Sequence, residues 1–330
     1  MARKRHTNER AGVRILDDSR STSQVRVFLS STYEDLVDYR MKAASAIERL
    51  GQQGIRMEVF GARPFQATAA CLSEIDECDA MVGIYAHRYG FIPAGSNISI
   101  LEQEFDHAIR NKTVLCFVID DNYPWLPHHI EGEPGRSRMV ALKRKIAETL
   151  VIETFTTADD LAFKIATSLG HYILTKRVMQ ALEAIPGRDR VTNPEDRTQV
   201  ARRVARLSRL TTGTRLLLVN DRPEEMKGPV ELFEEIGILV RIAVSTNEAL
   251  GLLKAERFDV VVSDMARDSI QDEGLRFLHA ARKAGIHRPT IFTVGRYEPE
   301  RGVPPYAFGI TNRVDELLNL VLDVVERVRG

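Results

Sequence analysis

Short apolar runs alternate with amphipathic helical stretches along most of the chain. A run such as 80–85 is apolar at nearly every position, as in a strand that is buried on both faces of a parallel sheet. Strands interleaved with helices indicate an α/β fold in which helices cover both faces of the sheet. In the first block the pattern predicts strands over 25–29, 56–60, 80–85, 113–119 and 151–155, and helices near 36–50, 69–78, 100–111, from about 137 and from about 157.

A second block with the same alternation runs from residue 214 to residue 330. Its five strand-helix units predict that the chain forms two doubly wound parallel-sheet domains, of the α/β class. The turn-rich, charged segment 184–197 separates the two blocks. The expected organisation is a disordered basic tail over 1–24, a first domain over 25–185, a linker with an Arg-rich connector helix over 186–213, and a second domain over 214–330.

The connector helix carries an apolar stripe of Val200, Val204 and Leu207, and arginines cover its remaining surface. This pattern is typical either of a signalling helix that docks on a neighbour or of a solvated connector. Nucleic acid is a disfavoured partner, because no aromatic side chains are interleaved with the arginines.

Composition narrows the possible partners and compartments. The 46 basic residues balance 46 acidic ones, so no global field draws the chain to nucleic acid or to an anionic membrane. No apolar run approaches the length of a bilayer span, and the first residues lack the apolar core of a signal peptide. A cytoplasmic location is therefore expected. The cysteines are predicted to be reduced, because Cys71 and Cys78 lie too far apart on one helix for a disulfide.

A row of hydroxyls closes the first strand, in the stretch "VRVFLSSTYEDL". Ligands of open parallel sheets bind beyond the carboxyl ends of the strands, where the following helices point their N-termini. Ser30, Ser31 and Thr32 are therefore candidates to bind a phosphate or a ribose. The alternative is ordinary capping of the following helix, with Ser31 or Thr32 as the N-cap residue.

A second polar cluster lies in "AHRYGFIPAGSNISILEQEFDHAIRNK". Arg88 and Tyr89 precede a glycine-containing loop, and Ser99, Glu102 and Glu104 open the next helix. Arg88, Tyr89 and Ser99 are therefore further candidates to bind a nucleotide. Two carboxylates two residues apart do not share a helix face, so one is expected to face the crevice and the other the solvent. Capping by Ser99, with Glu102 at the third helical position, is the structural alternative.

The segment from Val25 to about Asp121 resembles the family catalogued as domain of unknown function 4062, a TIR-like domain often found ahead of STAND-type NTPases. The matching pieces are "VFLSSTYEDL", "CLSEIDECDAMVGIYAHRYGFIP" and "SILEQEFDHAIRNKTVLCFV". Its third helix is also similar to that of TIR-domain NAD hydrolases and nucleoside deoxyribosyltransferases. That likeness implies a catalytic role for Glu104, four residues before Ala108, at the anomeric carbon of NAD or another nucleotide. Arg88 and the hydroxyls at 30–32 would then hold the ribose and phosphates.

Residues 215–329 resemble a response-regulator receiver domain, through "LLLVNDRPEE", "FDVVVSDMAR", "TIFTVG" and "AFGITNRVDEL". The resemblance implies that Asp264 is the phosphoacceptor, that Asp221 and Asp264 bind Mg²⁺, and that Thr293 is the switch hydroxyl. Asn220 replaces a second acidic residue, and Asn312 replaces the expected lysine. The first departure weakens the oxygen cage for Mg²⁺, and the second removes the cation that pairs with an aspartyl phosphate.

These observations leave three functional hypotheses. The chain is a signalling or defence-type protein whose TIR-like domain binds, and as an N-glycosidase cleaves, NAD or another nucleotide under control of the receiver-like domain. Alternatively, it is a non-enzymatic adaptor with a pseudo-receiver, acting through a protein partner or a homodimer. The third possibility is a phosphorelay regulator phosphorylated on Asp264, with Arg313 supplying the missing positive charge.

Overall fold

The computed structural model describes residues 24–56, 67–185, 194–296 and 302–330. The predicted tail, the central part of the predicted linker and most of the strand predicted over 56–60 lie outside these residues. The chain divides into two compact units. One comprises residues up to 40 together with 47–152, and the other comprises 41–46 together with 153–330.

The first half of the chain follows the predicted alternation closely. The third and fourth strands and the third helix have the predicted bounds, because long buried runs and a capped amphipathic helix are the clearest patterns in a sequence. The elements are β1 (Arg26–Ser31), α1 (Val37–Arg49), β2 (Gln53–Ile55), α2 (Ala67–Asp76), β3 (Ala80–Tyr85), α3 (Ile100–Asn111), β4 (Thr113–Ile119), α4 (Gly135–Thr149), β5 (Glu153–Phe155) and α5 (Ala158–Ala184).

The first sheet has the strand order β2-β1-β3-β4-β5. The strands β1 and β3 pair in parallel, with Ser30 opposite Gly83 and Ser31 opposite Ile84. The order reverses between these two strands, which is the position where flavodoxin-like sheets bind ligands. The core of this unit packs side chains of the sheet against α2, α3 and α4, among them Phe28, Met81 and Phe105.

The second strand begins earlier than predicted. Gly51, with a φ of 73°, ends α1 at the position where a left-handed residue is favoured. The amide of Gln53 then donates to the carbonyl of Val25 at 3.0 Å, so strand pairing starts only two residues beyond Gly51. β2 therefore precedes the strand predicted over 56–60, of which only residue 56 is among the described residues.

The second unit contains a second parallel sheet with the order β10-β9-β8-β6-β7. The same switch in strand order occurs here between β6 and β8, so both sheets are doubly wound as predicted. The elements that follow α5 are α6 (Pro194–Thr211), β6 (Arg215–Val219), α7 (Lys227–Glu235), β7 (Leu239–Ala243), α8 (Thr246–Ala255), β8 (Val260–Asp264), α9 (Glu273–Lys283), β9 (Thr290–Thr293), β10 (Gly309–Thr311) and α10 (Val314–Arg329).

The Arg-rich helix α6 is packed rather than solvated. Its stripe of Val200, Val204 and Leu207 is buried in the core that α5, α10 and the second sheet share. On its other side Arg203 lies 2.5 Å from carboxylate oxygens of both Asp323 and Glu326 on α10. A packed role thus replaces the interpretation of this helix as a solvated connector. Among the described residues, no helix combines the length and the apolarity that a bilayer crossing requires.

Candidate functional site

The hydroxyl row of β1 and the carboxylate of α3 meet at the carboxyl edge of the first sheet. The Ser30 hydroxyl donates to Oε2 of Glu104 over 2.5 Å. Both residues are buried, with 1% and 4% of their surface exposed. Pairing between β1 and β3 holds Ser30 in place, and the Ser99 cap sets the start of α3 so that Glu104 faces inward. Ser30 and Glu104 are thus in direct contact, and the binding of a sugar phosphate beside them stays a prediction.

Burial dominates the electrostatics of Glu104. It raises the pKa of this carboxyl from 4.5 to about 7, because the charged form loses its hydration. Hydrogen bonds from Ser30 and Cys71, together with the positive charge of Arg40, lower the pKa in part. The carboxyl can therefore hold or release a proton near neutral pH, as general acid–base groups do.

Arg40 is a member of this cluster that the sequence interpretation did not include. Its guanidinium is buried and donates to the carbonyl oxygen of Ser31 at 3.2 Å, and also to the Ser31 hydroxyl. The Ser31 hydroxyl in turn donates to the carbonyl of Thr32 at 2.9 Å. The sequence does carry a signal for Arg40, because a basic residue lies one turn into the helix that follows a hydroxyl-rich strand end.

The helix opening satisfies its polar groups internally. The Ser99 hydroxyl accepts from the amide of Glu102 at 3.3 Å, so Ser99 is the N-cap residue. The Ser99 amide donates to the Tyr89 hydroxyl, which donates to Glu102 at 2.5 Å. Ligand roles for Tyr89 and Ser99 stay predictions that require these contacts to open. Arg88 is less constrained, since its ion pair at 2.7 Å is with the exposed Glu34.

Glu102 does not face solvent as expected. Its side chain is 15% exposed, and its carboxylate lies 2.9 Å from Nζ of Lys145 on α4. Lys145 also pairs with Asp106, one turn further along α3, at 2.6 Å. The expectation was wrong because periodicity assigns a helix face without showing that a second helix packs against it.

The second sheet carries its own polar crevice, a cavity of about 800 Å³. Asn220, Asp221 and Asp264 line it at the ends of β6 and β8. The pKa of Asp264 is raised to about 6. Burial is the main cause, the Met265 amide and Arg267 oppose it, and the charges of Asp221 and Glu225 add to it.

Arg267, which the sequence interpretation missed, stabilises the loop beside this cavity. Its buried guanidinium donates to the Ser263 hydroxyl and to the backbone oxygen of Asp264, both at 2.6 Å, and to the Thr246 hydroxyl at 3.1 Å. The amide of Asp268 donates to the Asp221 carboxylate at 3.0 Å. Much of the polar surface at this edge is thus already satisfied within the protein.

The remaining receiver positions do not line the acidic cavity, although Thr293 pairs opposite Asp264 in the sheet. Thr293 and Asn312 line a smaller one of about 40 Å³. Arg313 does not replace the missing lysine charge, because its guanidinium pairs with Asp315 and, at 3.3 Å, with Asp196 on α6. The nearest positive group to Asp264 is Arg267, which holds the loop backbone.

The acidic cavity fits Mg²⁺ poorly. Within the part of the chain that the structure describes, no three His, Cys, Asp or Glu side chains are grouped as metal ligands. One oxygen of Asp221 already accepts the Asp268 amide. A hard cation that prefers six oxygen ligands would find only Asp221 and Asp264 as carboxylates from the predicted set.

Comparisons with known proteins agree with this architecture. Residues 26–170 match the family model Domain of unknown function (DUF4062). The resemblance predicted for the N-terminal half is confirmed, and the matched segment is called the DUF4062 region below. No curated protein matches the sequence.

Among solved structures, the chain is similar to response-regulator receiver domains. The receiver domain of Francisella response regulator 1452 is 24% identical over 36% of this chain and 100% of its own, with a TM-score of 0.32. Thermotoga maritima response regulator TrrA, solved with Mg²⁺ and BeF, is 23% identical over 34% of this chain and 98% of its own, with a TM-score of 0.30. Vibrio cholerae CheY4 is 24% identical over 34% of this chain and 99% of its own, with a TM-score of 0.30. These likenesses concern fold alone.

Proposed function

We propose that this is a two-domain signalling protein whose DUF4062 region binds a nucleotide at the carboxyl edge of β1 and β3. The observation that carries the proposal is the buried contact between Ser30 and Glu104 at the switch in strand order. Ligands of doubly wound sheets bind at that position. The receiver-like region then acts as a pseudo-receiver that relays the bound state to a protein partner or to a second copy of the chain.

The enzymatic form of this proposal is N-glycosidic hydrolysis. Water adds to the anomeric carbon of NAD, nicotinamide leaves with the bonding electrons, and one proton is released. A carboxylate at Glu104 would stabilise the positive charge that develops on the sugar. Glu104 is 4% exposed and bonded to Ser30, so a substrate must first displace the serine hydroxyl. We therefore propose nucleotide binding with a conformational response as the primary function, and hydrolysis of the bound nucleotide as a second step.

The test is calorimetric titration of the full chain with AMP and NAD, combined with chromatography for released nicotinamide. Glu104→Gln keeps the side-chain volume and is expected to abolish any release. Glu148→Gln, on the exposed face of α4, is the matched control and is expected to behave as the wild type. Binding heat without release supports signalling without cleavage. Absence of heat with both nucleotides overturns the proposal.

Phosphoryl acceptance at Asp264 is the second candidate function, favoured by the cavity into which this carboxyl opens. The carboxylate would attack the phosphorus of acetyl phosphate, and acetate would leave. Incubation followed by intact-mass measurement is expected to show an added phosphoryl group that Asp264→Asn lacks. An unmodified mass sets this function aside and leaves the pseudo-receiver.

A further inference from the structure

Buried polar atoms without partners gather beside the first sheet, next to the contact already described. Four of the side chains with such atoms lie in the loops at the carboxyl edge of this sheet. The atoms are the hydroxyl of Thr32, both carboxylate oxygens of Asp35, Nε2 of His87 and Nε1 of Trp125, and none has a hydrogen-bond partner among the described residues. Leaving such groups unpaired costs free energy, and native proteins rarely do so without a reason. Several in one place indicate a polar ligand.

Three loops at one edge of the sheet bring these groups together. Thr32 and Asp35 follow β1, His87 follows β3, and Trp125 follows β4. These strands are neighbours, and their carboxyl ends share one edge. The backbone carbonyl of His87 accepts from the amide of Glu131 at 3.3 Å, which ties the second loop to the third.

Aromatic rings form the apolar part of this cluster. The ring centroid of Trp125 lies 5.4 Å from that of Tyr39, 5.5 Å from that of His87 and 6.5 Å from that of His129. These separations are within the range of aromatic packing, and the interplanar angles of 42° to 59° leave no ring stacked flat on another. A planar group that stacks on the indole would take a position that none of these three rings occupies in parallel.

Charge completes the cluster. Asp35 is 3% exposed, and burial raises its pKa. The Thr32 hydroxyl and the backbone amide of Asp35 oppose that rise in pKa, although neither reaches hydrogen-bond geometry, and the positive charges of Arg88 and His129 oppose it as well. An acceptor pair at Asp35 and a donor at Trp125 thus lie beside one aromatic wall, with the Arg88 cation near them.

We propose that Asp35, His87 and Trp125 form the base subsite of the nucleotide site, for a planar heterocycle that bears an amino group beside a ring nitrogen. This inference rests on the proposed nucleotide binding. The amino group would donate to Asp35, the indole N–H would donate to the ring nitrogen, and the ring would pack against Trp125. Arg88 is placed to meet the phosphate of the same ligand.

The chain provides its own reporter, because Trp125 is its single tryptophan. The full-length protein is titrated with adenosine, with purine riboside, which lacks the amino group, and with ribose 5-phosphate. Adenosine is expected to quench Trp125 fluorescence and to bind at least about tenfold more tightly than purine riboside, which leaves Asp35 unpaired. Ribose 5-phosphate is expected to leave the fluorescence unchanged. Equal affinity for adenosine and purine riboside overturns the inference without any variant.

Asp35→Asn tests the acceptor directly, since it keeps the shape of the side chain. It is expected to lower adenosine affinity at least about tenfold, whereas Asp38→Asn, an exposed position on α1, is the control. Glu104→Gln is expected to retain adenosine binding. If Asp35→Asn binds AMP like the wild type, the base subsite is wrong and the proposed function stands. If adenosine binds through Asp35 while Glu104→Gln leaves NAD turnover unchanged, the base subsite stands and the role proposed for Glu104 in cleavage is wrong.

Discussion

Glu104→Gln is expected to remove most of the pH dependence of stability in the first compact unit. The wild-type carboxyl has a pKa of about 7 when folded, against 4.5 for an ordinary glutamate. The folded state therefore binds this proton more tightly than the unfolded state does. Its contribution to stability is complete below about pH 4.5, falls as the pH rises, and is lost once the pH exceeds about 7.

The magnitude follows from the same difference. At 1.36 kcal/mol per pKa unit, the wild type should lose about 3 kcal/mol relative to Glu104→Gln between about pH 4.5 and about pH 8. Glutamine cannot ionise, so the variant escapes this loss. It does forfeit the charge-assisted hydrogen bond from Ser30, which reduces its advantage at the higher pH.

The assay is urea unfolding followed by the fluorescence of Trp125, which lies in the first unit and therefore reports that unit separately. Wild type, Glu104→Gln and the exposed control Glu148→Gln are compared at both pH values. The control should track the wild type. If Glu104→Gln and the wild type lose stability in parallel, Glu104 does not hold a raised pKa, and the electrostatic account of the site is wrong.

The second unit offers three further tests. Ionisation of Asp264 is expected to lower the stability of the wild type as the pH rises from 3.8 past about 6, because the folded state binds this proton more tightly. Asp264→Asn should lack this fall, and thermal melts at several pH values would measure the difference. Gly274→Ala is expected to destabilise by about 1–3 kcal/mol, because the new Cβ would lie 2.8 Å from the backbone oxygen of Asp264; an unchanged urea midpoint would contradict this packing. Arg203→Ala, which breaks two ion pairs at 2.5 Å, is expected to cost about 1 kcal/mol by urea unfolding. Arg206→Ala, with a side chain 72% exposed, should cost less than about 0.5 kcal/mol.

The order of strands and helices could be predicted from the sequence, because burial on both faces leaves a continuous apolar run. The three-residue β2 could not be placed this way, since its pairing depends on the turn at Gly51. The approach of Ser30 to Glu104 was predictable, as both lie at one edge of a parallel sheet. Trp125 lies in a loop without periodicity, where only the folded chain shows what it approaches.

Contacts between side chains of different elements could not be predicted either, because only the folded chain shows which elements pack together. Glu102 was assigned to solvent because helical spacing was the only guide, and the partner Lys145 lies 43 residues further along the chain. Arg313 follows the asparagine at the expected lysine position, which suggested a substitute charge. Its real partners, Asp196 and Asp315, depend on how α6 packs in the second unit.

The two sheet edges differ in the extent to which their polar groups are satisfied, although Nε of Arg267 at the second edge also has no partner among the described residues. At the second edge, Arg267 supplies hydrogen bonds to the loop, and Asp221 accepts a backbone amide. At the first edge, Asp35 and Trp125 have polar atoms with no partner among the described residues. A satisfied edge gains little from a ligand, whereas an unsatisfied one gains the hydrogen bonds that the ligand brings. The larger ligand-dependent rise in stability is therefore expected in the first unit.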